Sequence, residues 1–212
     1  MPKVKWIDKN IAYLKTIENF KLLKDEFLKL LSKDVIEYKG NQLSLQKPDD
    51  WNCDMFGKEE WCSVGKPSNF PAKYKSDEEL FNTPLDIIKG TYIEKLIIDY
   101  NLFKTRVAIL DRKTCYTWHF DNWPRIHFVI ESNPKCFFIF GEQSKQHLVE
   151  GNVYFTDTTD PLGHTAVNAS QFPRIHIFGN IKKFDGRVWS MTEERKEFND
   201  REKAKDMRLL HP

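Results

Sequence analysis

From Thr105 onward the chain divides into short β-rich runs separated by turn signals, and this pattern constrains the fold more than anything else in the sequence. Arg106–Leu110, Tyr116–Asp121, Arg125–Ile130, Lys135–Phe140, Gln146–Leu148, Asn152–Phe155, His164–Val167 and Arg174–Phe178 are rich in β-branched and aromatic residues. Ser132-Asn133-Pro134 and Glu150-Gly151-Asn152 punctuate them as turns. About eight such strands make a double-sheet jelly roll, the double-stranded β-helix also used by cupins. The expected class is mainly β with flanking helices.

Helical spacing occupies the rest. Between Ile17 and Leu31, Phe20, Leu23, Phe27, Leu30 and Leu31 recur at helical intervals among charged residues, which predicts an amphipathic helix. Residues 47–72 are rich in Trp, Cys, Gly and Pro and read as irregular structure packed by Trp51, Phe56 and Trp61. Thr83-Pro84 has the form of a helix start, threonine capping and proline in the first turn, for a helix reaching about Tyr100. Residues 193–210 read as a charged closing helix. The expected organisation is an N-terminal helical and irregular extension over 1–82, a barrel core over 83–182 and a C-terminal helical segment over 183–212.

Within the β-rich half, His119-Phe120-Asp121 is followed by His164 in Leu162-Gly163-His164-Thr165. Two histidines and one carboxylate can occupy one face of an octahedral metal and leave the opposite positions open, which suits non-heme Fe(II) chemistry with dioxygen. Strand alternation puts His119 and Asp121 on one side and Phe120 on the other. Two arginines stand in similar surroundings, Pro124-Arg125-Ile126-His127 and Pro173-Arg174-Ile175-His176. A guanidinium grips a carboxylate through paired hydrogen bonds that lysine cannot reproduce, so a dicarboxylic co-substrate would need such residues. By alternation Arg125 shares a face with His127, and Arg174 with His176. His147 is a further candidate ligand if the metal set is of the cupin type.

In ordered spacing, His119, Asp121, Arg125, His127, Gly151, Asp157, His164, Asn168 and Arg174 resemble one enzyme family. It is the aspartyl/asparaginyl β-hydroxylase-like branch of the 2-oxoglutarate- and Fe(II)-dependent dioxygenases, which includes hydroxylases of free proline. The run from His164 to Arg174 carries most of the likeness, which covers roughly residues 84–180. The resemblance implies that His119, Asp121 and His164 bind iron and that Arg174 holds the far carboxylate of 2-oxoglutarate. It places Arg125 and His127 near the metal-chelating end of that co-substrate. The implied activity is hydroxylation of a C–H bond in a free amino acid or amino-acid side chain, with dioxygen consumed and 2-oxoglutarate decarboxylated to succinate. Asp121 resembles the small-amino-acid hydroxylases, because the branch acting on protein domains typically lacks that carboxylate. Ala108 stands where some relatives carry serine on the preceding strand. Two other classes remain open from the residues themselves: a non-oxygenase cupin-type metal-binding barrel, and an interaction module with a degenerate site.

Composition bears on partners. The formal net charge is +2, from 33 basic and 31 acidic residues, so no global field favours nucleic acid or a membrane surface. The N-terminus leads into no apolar signal core, which makes a cytoplasmic location the expectation. The presence of Asp121 and the compact aromatic-rich segment before the barrel make a small amino acid or short peptide the expected substrate. Cys53, Cys62, Cys115 and Cys136 are widely separated and read as free thiols rather than a zinc site.

Overall fold

The computed structural model describes residues 4–32, 42–49, 77–141 and 144–191. The expectations for Trp51, Phe56 and Trp61, for Cys53 and Cys62, and for a helix over 193–210 lie outside them. Among the described residues the chain is mainly β, and every strand pairing is antiparallel.

The larger sheet has seven strands. They are β1 (Lys5–Trp6), β2 (Ile11–Thr16), β3 (Gln42–Ser44), β6 (Phe103–Leu110), β8 (Arg125–Glu131), β11 (Asn152–Thr156) and β13 (Arg174–Asn180). Their spatial order is β1-β2-β11-β8-β13-β6-β3. The smaller sheet has four strands, β7 (Thr114–Cys115), β9 (Cys136–Phe140), β10 (Ser144–Gln146) and β12 (His164–Asn168), in the order β10-β9-β12-β7. Two short ribbons, β4 (Gln46–Lys47) with β5 (Thr83–Pro84) and β14 (Lys183–Phe184) with β15 (Arg187–Val188), complete the pairings.

Alternation divides the larger sheet into an apolar face and a polar one. Val107 on β6, Ile126, Phe128 and Ile130 on β8, Val153 and Phe155 on β11, and Ile175 and Ile177 on β13 form one buried cluster. Two helices close over it, α1 (Phe20–Ser32) and α2 (Tyr92–Asp99), contributing Leu23, Phe27 and Leu30 and then Ile93, Leu96 and Ile97. Each such side chain contributes about 1.5–3 kcal/mol on full burial. The intervening residues, Arg106, Ala108, Arg125, His127, Arg174 and Phe178, therefore share the opposite face, and all six line the cavity described below. There the sheet meets β9, whose Phe138 ring lies 5.4 Å from that of His127.

Several boundaries differ from the sequence reading. Thr83-Pro84 does not open a helix; it pairs with β4, and α2 starts behind Gly90 at φ +73°. Thr91 is the cap, its hydroxyl accepting from Glu94 N at 3.2 Å while Glu94 Oε2 accepts from Gly90 N at 2.7 Å. Thr-x-x-Glu at 91–94 was the better signal. Glu26 on α1 then accepts from Tyr92 N and Ile93 N, satisfying donors that would otherwise be orphaned at the helix start. Gln146–Leu148 is not the strand; Ser144–Gln146 is. Tyr116–Asp121 is not a regular strand either, because only Thr114–Cys115 and an isolated bridge at His119 pair with β12. β2 and β3 fall within residues 1–82, so the larger sheet draws strands from that stretch as well.

Candidate metal centre

His119 and His164 are joined through their backbones before their side chains meet. His119 N donates to His164 O at 3.0 Å, and His164 N donates to His119 O at 2.7 Å. Asp121 N donates to Thr158 O at 2.8 Å, tying the next turn to the chain ahead of β12. The ligand atoms of His119, Asp121 and His164 consequently lie within 4.8 Å of one another. His164 Nε2 is 3.4 Å from Asp121 Oδ2, and His119 Nε2 is 3.9 Å from Asp121 Oδ1. Adjacent ligands of a first-row ion held by bonds of about 2.1 Å stand roughly 3 Å apart, so closing on an ion requires small shifts.

The donor set is chemically ready for a cation. His119 Nδ1 is 2.7 Å from the Thr117 carbonyl, so it carries the hydrogen and leaves the Nε2 lone pair free. Burial drives His164 down to about 3, which keeps its imidazole neutral. For Asp121 burial alone would push the carboxyl up, but Arg125, His164, His119 and Arg106 outweigh it and hold it below the usual range. Arg125 donates from Nη2 to Asp121 Oδ1, while Oδ2 is buried with no hydrogen-bond partner among the described residues. A buried anionic oxygen without a partner is costly, and a cation at this point would satisfy it.

The cluster opens into a cavity of about 280 Å³. Arg125, His127 and Arg174 line it, whereas His176 stands behind them. Arg174 Nε donates to His176 Nε2 at 3.1 Å, and His176 Nδ1 lies 3.3 Å from His127 Nδ1. Arg174 Nη2 also lies 3.0 Å from His176 Nδ1, so the guanidinium approaches both ring nitrogens. His127 Nε2 is buried and has no hydrogen-bond partner among the described residues. Burial, then the Arg174 charge, drives both imidazoles well below their ordinary values, so both are neutral. The Arg174 guanidinium lies over the Phe138 ring at 4.7 Å.

Other sequence candidates have different places. Phe120 does not face away from His119 and Asp121; it lines the cavity with them, because the chain there lacks strand alternation. His147 is outside the cluster, with Nδ1 2.7 Å from Cys136 O. Asn168 is wholly buried and donates to Leu110 O and Phe172 O, pinning the turn into β13. Cys115 is exposed and Cys136 buried, both free. Arg106, Tyr116 and Glu78 also line the cavity and were not expected there. Arg106 had a signal, a lone charge within an apolar run at the strand parity of Ala108. Glu78, on a 3-10 turn (Glu78–Leu80) far from the ligands in sequence, had none.

Gly163 sets the approach of the two ligand segments. Its φ is +74°, and a Cβ there would stand 2.4 Å from Trp118 Nε1 and 3.2 Å from His119 O. Gly163→Ala is expected to cost about 1–2 kcal/mol from the left-handed backbone alone. Displacement of Trp118, whose Nε1 donates to Leu162 O, should appear as a change in tryptophan emission. A urea titration followed by fluorescence measures both.

The fold and site define a mainly β protein with a two-histidine, one-aspartate centre at the mouth of an arginine-lined cavity. Residues 17–183 match the family model described as aspartyl/asparaginyl beta-hydroxylase. The chain belongs to that family, a family of hydroxylases. No curated protein matches the chain. None of the described helices is long and apolar enough to cross a membrane.

Proposed function

We propose that the chain is a 2-oxoglutarate- and Fe(II)-dependent dioxygenase that hydroxylates a C–H bond of a free amino acid or amino-acid side chain. The observation that carries this reading is the convergence of His119, Asp121, His164 and Arg174 on one cavity. The strand order supports a double-stranded β-helix around it: β11-β8-β13-β6 faces β10-β9-β12-β7, with successive strands alternating between the sheets from β6 to β9.

His119, Asp121 and His164 would hold the iron, through both Nε2 atoms and the carboxylate. The chemistry that Fe(II), 2-oxoglutarate and dioxygen supply when bound is oxidative: one oxygen atom enters the C–H bond, the other enters succinate, and carbon dioxide leaves. The chain's own residues orient and shield. Arg125 fixes the Asp121 carboxylate by its bond to Oδ1, which holds the ligand in its ionised form. Arg174, braced by His176, presents a buried guanidinium to the far carboxylate of the co-substrate. Tyr116 lines the same cavity as Arg174 and has a buried hydroxyl without a partner among the described residues. It is suited to supply the hydroxyl that Ala108 lacks. His127, whose buried Nε2 has no partner among the described residues, would serve the chelating end, and Arg125 lies close by.

Succinate release in the presence of Fe(II) and 2-oxoglutarate tests the reaction, and its absence overturns it. Arg174→Ala is expected to weaken 2-oxoglutarate binding to metal-loaded protein by about 1.5–3 kcal/mol, the worth of a charge-assisted hydrogen bond. Metal affinity should change less, and Arg174→Lys should recover only part of the loss. Equal 2-oxoglutarate affinity in wild type and Arg174→Ala removes this residue from the site and revives the reading of a cupin-type barrel.

A further inference from the structure

Three arginines line the cavity, and their partners differ. Arg125 is bonded to Asp121 and Arg174 to His176. Arg106, on β6, is 2% exposed, and no hydrogen bond or ion pair joins its side chain to any described residue. Its Nε is buried and unpartnered. Its guanidinium carbon lies 4.8 Å from the centroid of the Phe178 ring. Glu78 lines the same cavity, but its carboxylate is taken up by Lys104 at one oxygen and by Asn180 Nδ2 at the other, 2.9 Å away. A guanidinium removed from water without a counter-ion is expensive, by several kcal/mol. Burial pushes it down only to about 10, so it remains charged at neutral pH.

Strand register separates this cation from the co-substrate arginine. Across the β6–β13 pairing Arg174 stands opposite Leu110, whereas Arg106 stands opposite Phe178. The two levels are four residues apart along the strand, about 13 Å at the usual rise. Arg125 is at the Arg106 end as well, since it pairs with Asn180 on the other side of β13. A dicarboxylate with its far carboxylate on Arg174 and its chelating end at the metal and His127 has no carboxylate left for Arg106. The planar fork of a guanidinium matches a carboxylate, and the neighbouring cations, Arg125 and Lys104, already have carboxylates of their own.

We propose that Arg106 is the receptor for a free carboxylate on the hydroxylated substrate, which makes that substrate a carboxylic acid of the amino-acid class. The assignment rests on the dioxygenase reading for what happens to the bound acid. The recognition itself follows from an unpaired, buried cation lining the cavity. An internal residue with no acidic side chain has its α-carboxyl group tied up as an amide, so Arg106 would reject it by leaving its charge unpaired.

The test compares matched pairs. The common free L-amino acids and their carboxamides are titrated calorimetrically into wild type, Arg106→Gln and Arg106→Lys. Each titration is done with and without Ni(II) and 2-oxoglutarate, nickel standing in as an inert metal. At least one acid is expected to bind wild type about tenfold or more tightly than its amide. Arg106→Gln should lose about ten- to a hundredfold for that acid, with the amide unaffected, and Arg106→Lys should fall between. Equal binding of acid and amide to wild type overturns the proposal without needing a variant, as does binding of none of the acids. An unchanged acid-to-amide ratio in folded Arg106→Gln overturns it too. Acid-selective binding that depends on Arg106, in a protein that releases no succinate, would sustain the receptor and remove the dioxygenase reading.

Discussion

His119→Ala and His164→Ala are each expected to abolish stoichiometric metal binding and, with it, turnover. The three ligand atoms already lie within 4.8 Å of one another, so little rearrangement is needed for an ion to bind. Removing either imidazole leaves one histidine and a carboxylate that is also bonded to Arg125, too few donors to hold a divalent ion against water. The two substitutions differ in their structural effect. His164 is buried against Phe140, their rings stacked at 5.5 Å, and its loss opens a cavity; the His119 side chain is 34% exposed and its loss should barely alter stability. Titration with Mn(II) or Ni(II), with circular dichroism to verify the fold, checks both. Retention of metal and activity in both variants would sink the site assignment.

Glu78→Gln is expected to destabilise the protein by about 3 kcal/mol at neutral pH. The Lys104 side chain is only 5% exposed, and Glu78 is the carboxylate paired with it. Burial pushes the Glu78 carboxyl up, but Lys104, Arg106 and Arg125 together carry it down to about 2. A depressed carboxylate stabilises the folded state fully above its unfolded value, near 4.5, and that contribution fades as pH falls toward about 2. The stability gap between wild type and Glu78→Gln should accordingly be constant from pH 7 to about 5 and shrink below it. Urea midpoints measured across that range decide it, and a gap independent of pH down to 3 would show that the ionised pair is not its source. The substitution also removes the negative charge nearest in effect to Arg106, so acid binding should tighten rather than weaken wherever the variant folds.

The family likeness was carried by residues whose spacing is local. His119 to Asp121 and His164 to Arg174 each lie within one segment or two adjoining ones, so sequence order preserves their relation. The corrections fall where local signals compete. Thr83-Pro84 and Thr91-x-x-Glu94 are both helix starts by composition, and packing chose the second, because Glu26 on α1 reaches the exposed donors of Tyr92 and Ile93. Tyr116–Asp121 has strand-like residues, yet the backbone bonds of His119 go to a single residue of β12, and Phe120 turns inward.

By itself the sequence determined the mainly β class, the apolar and polar faces of the central strands, and the identity of the donors that meet at the centre. Periodicity and residue chemistry are properties of short stretches, and they survive whatever the rest of the chain does. Only the tertiary structure decided which buried charges have partners. Asp121 is held by Arg125, Arg174 by His176 and Lys104 by Glu78, while Arg106 faces the cavity alone among the described residues. Those pairings join strands and turns far apart in sequence, and whether a guanidinium is neutralised or left to receive a ligand depends on distances of a few ångströms that no local pattern encodes.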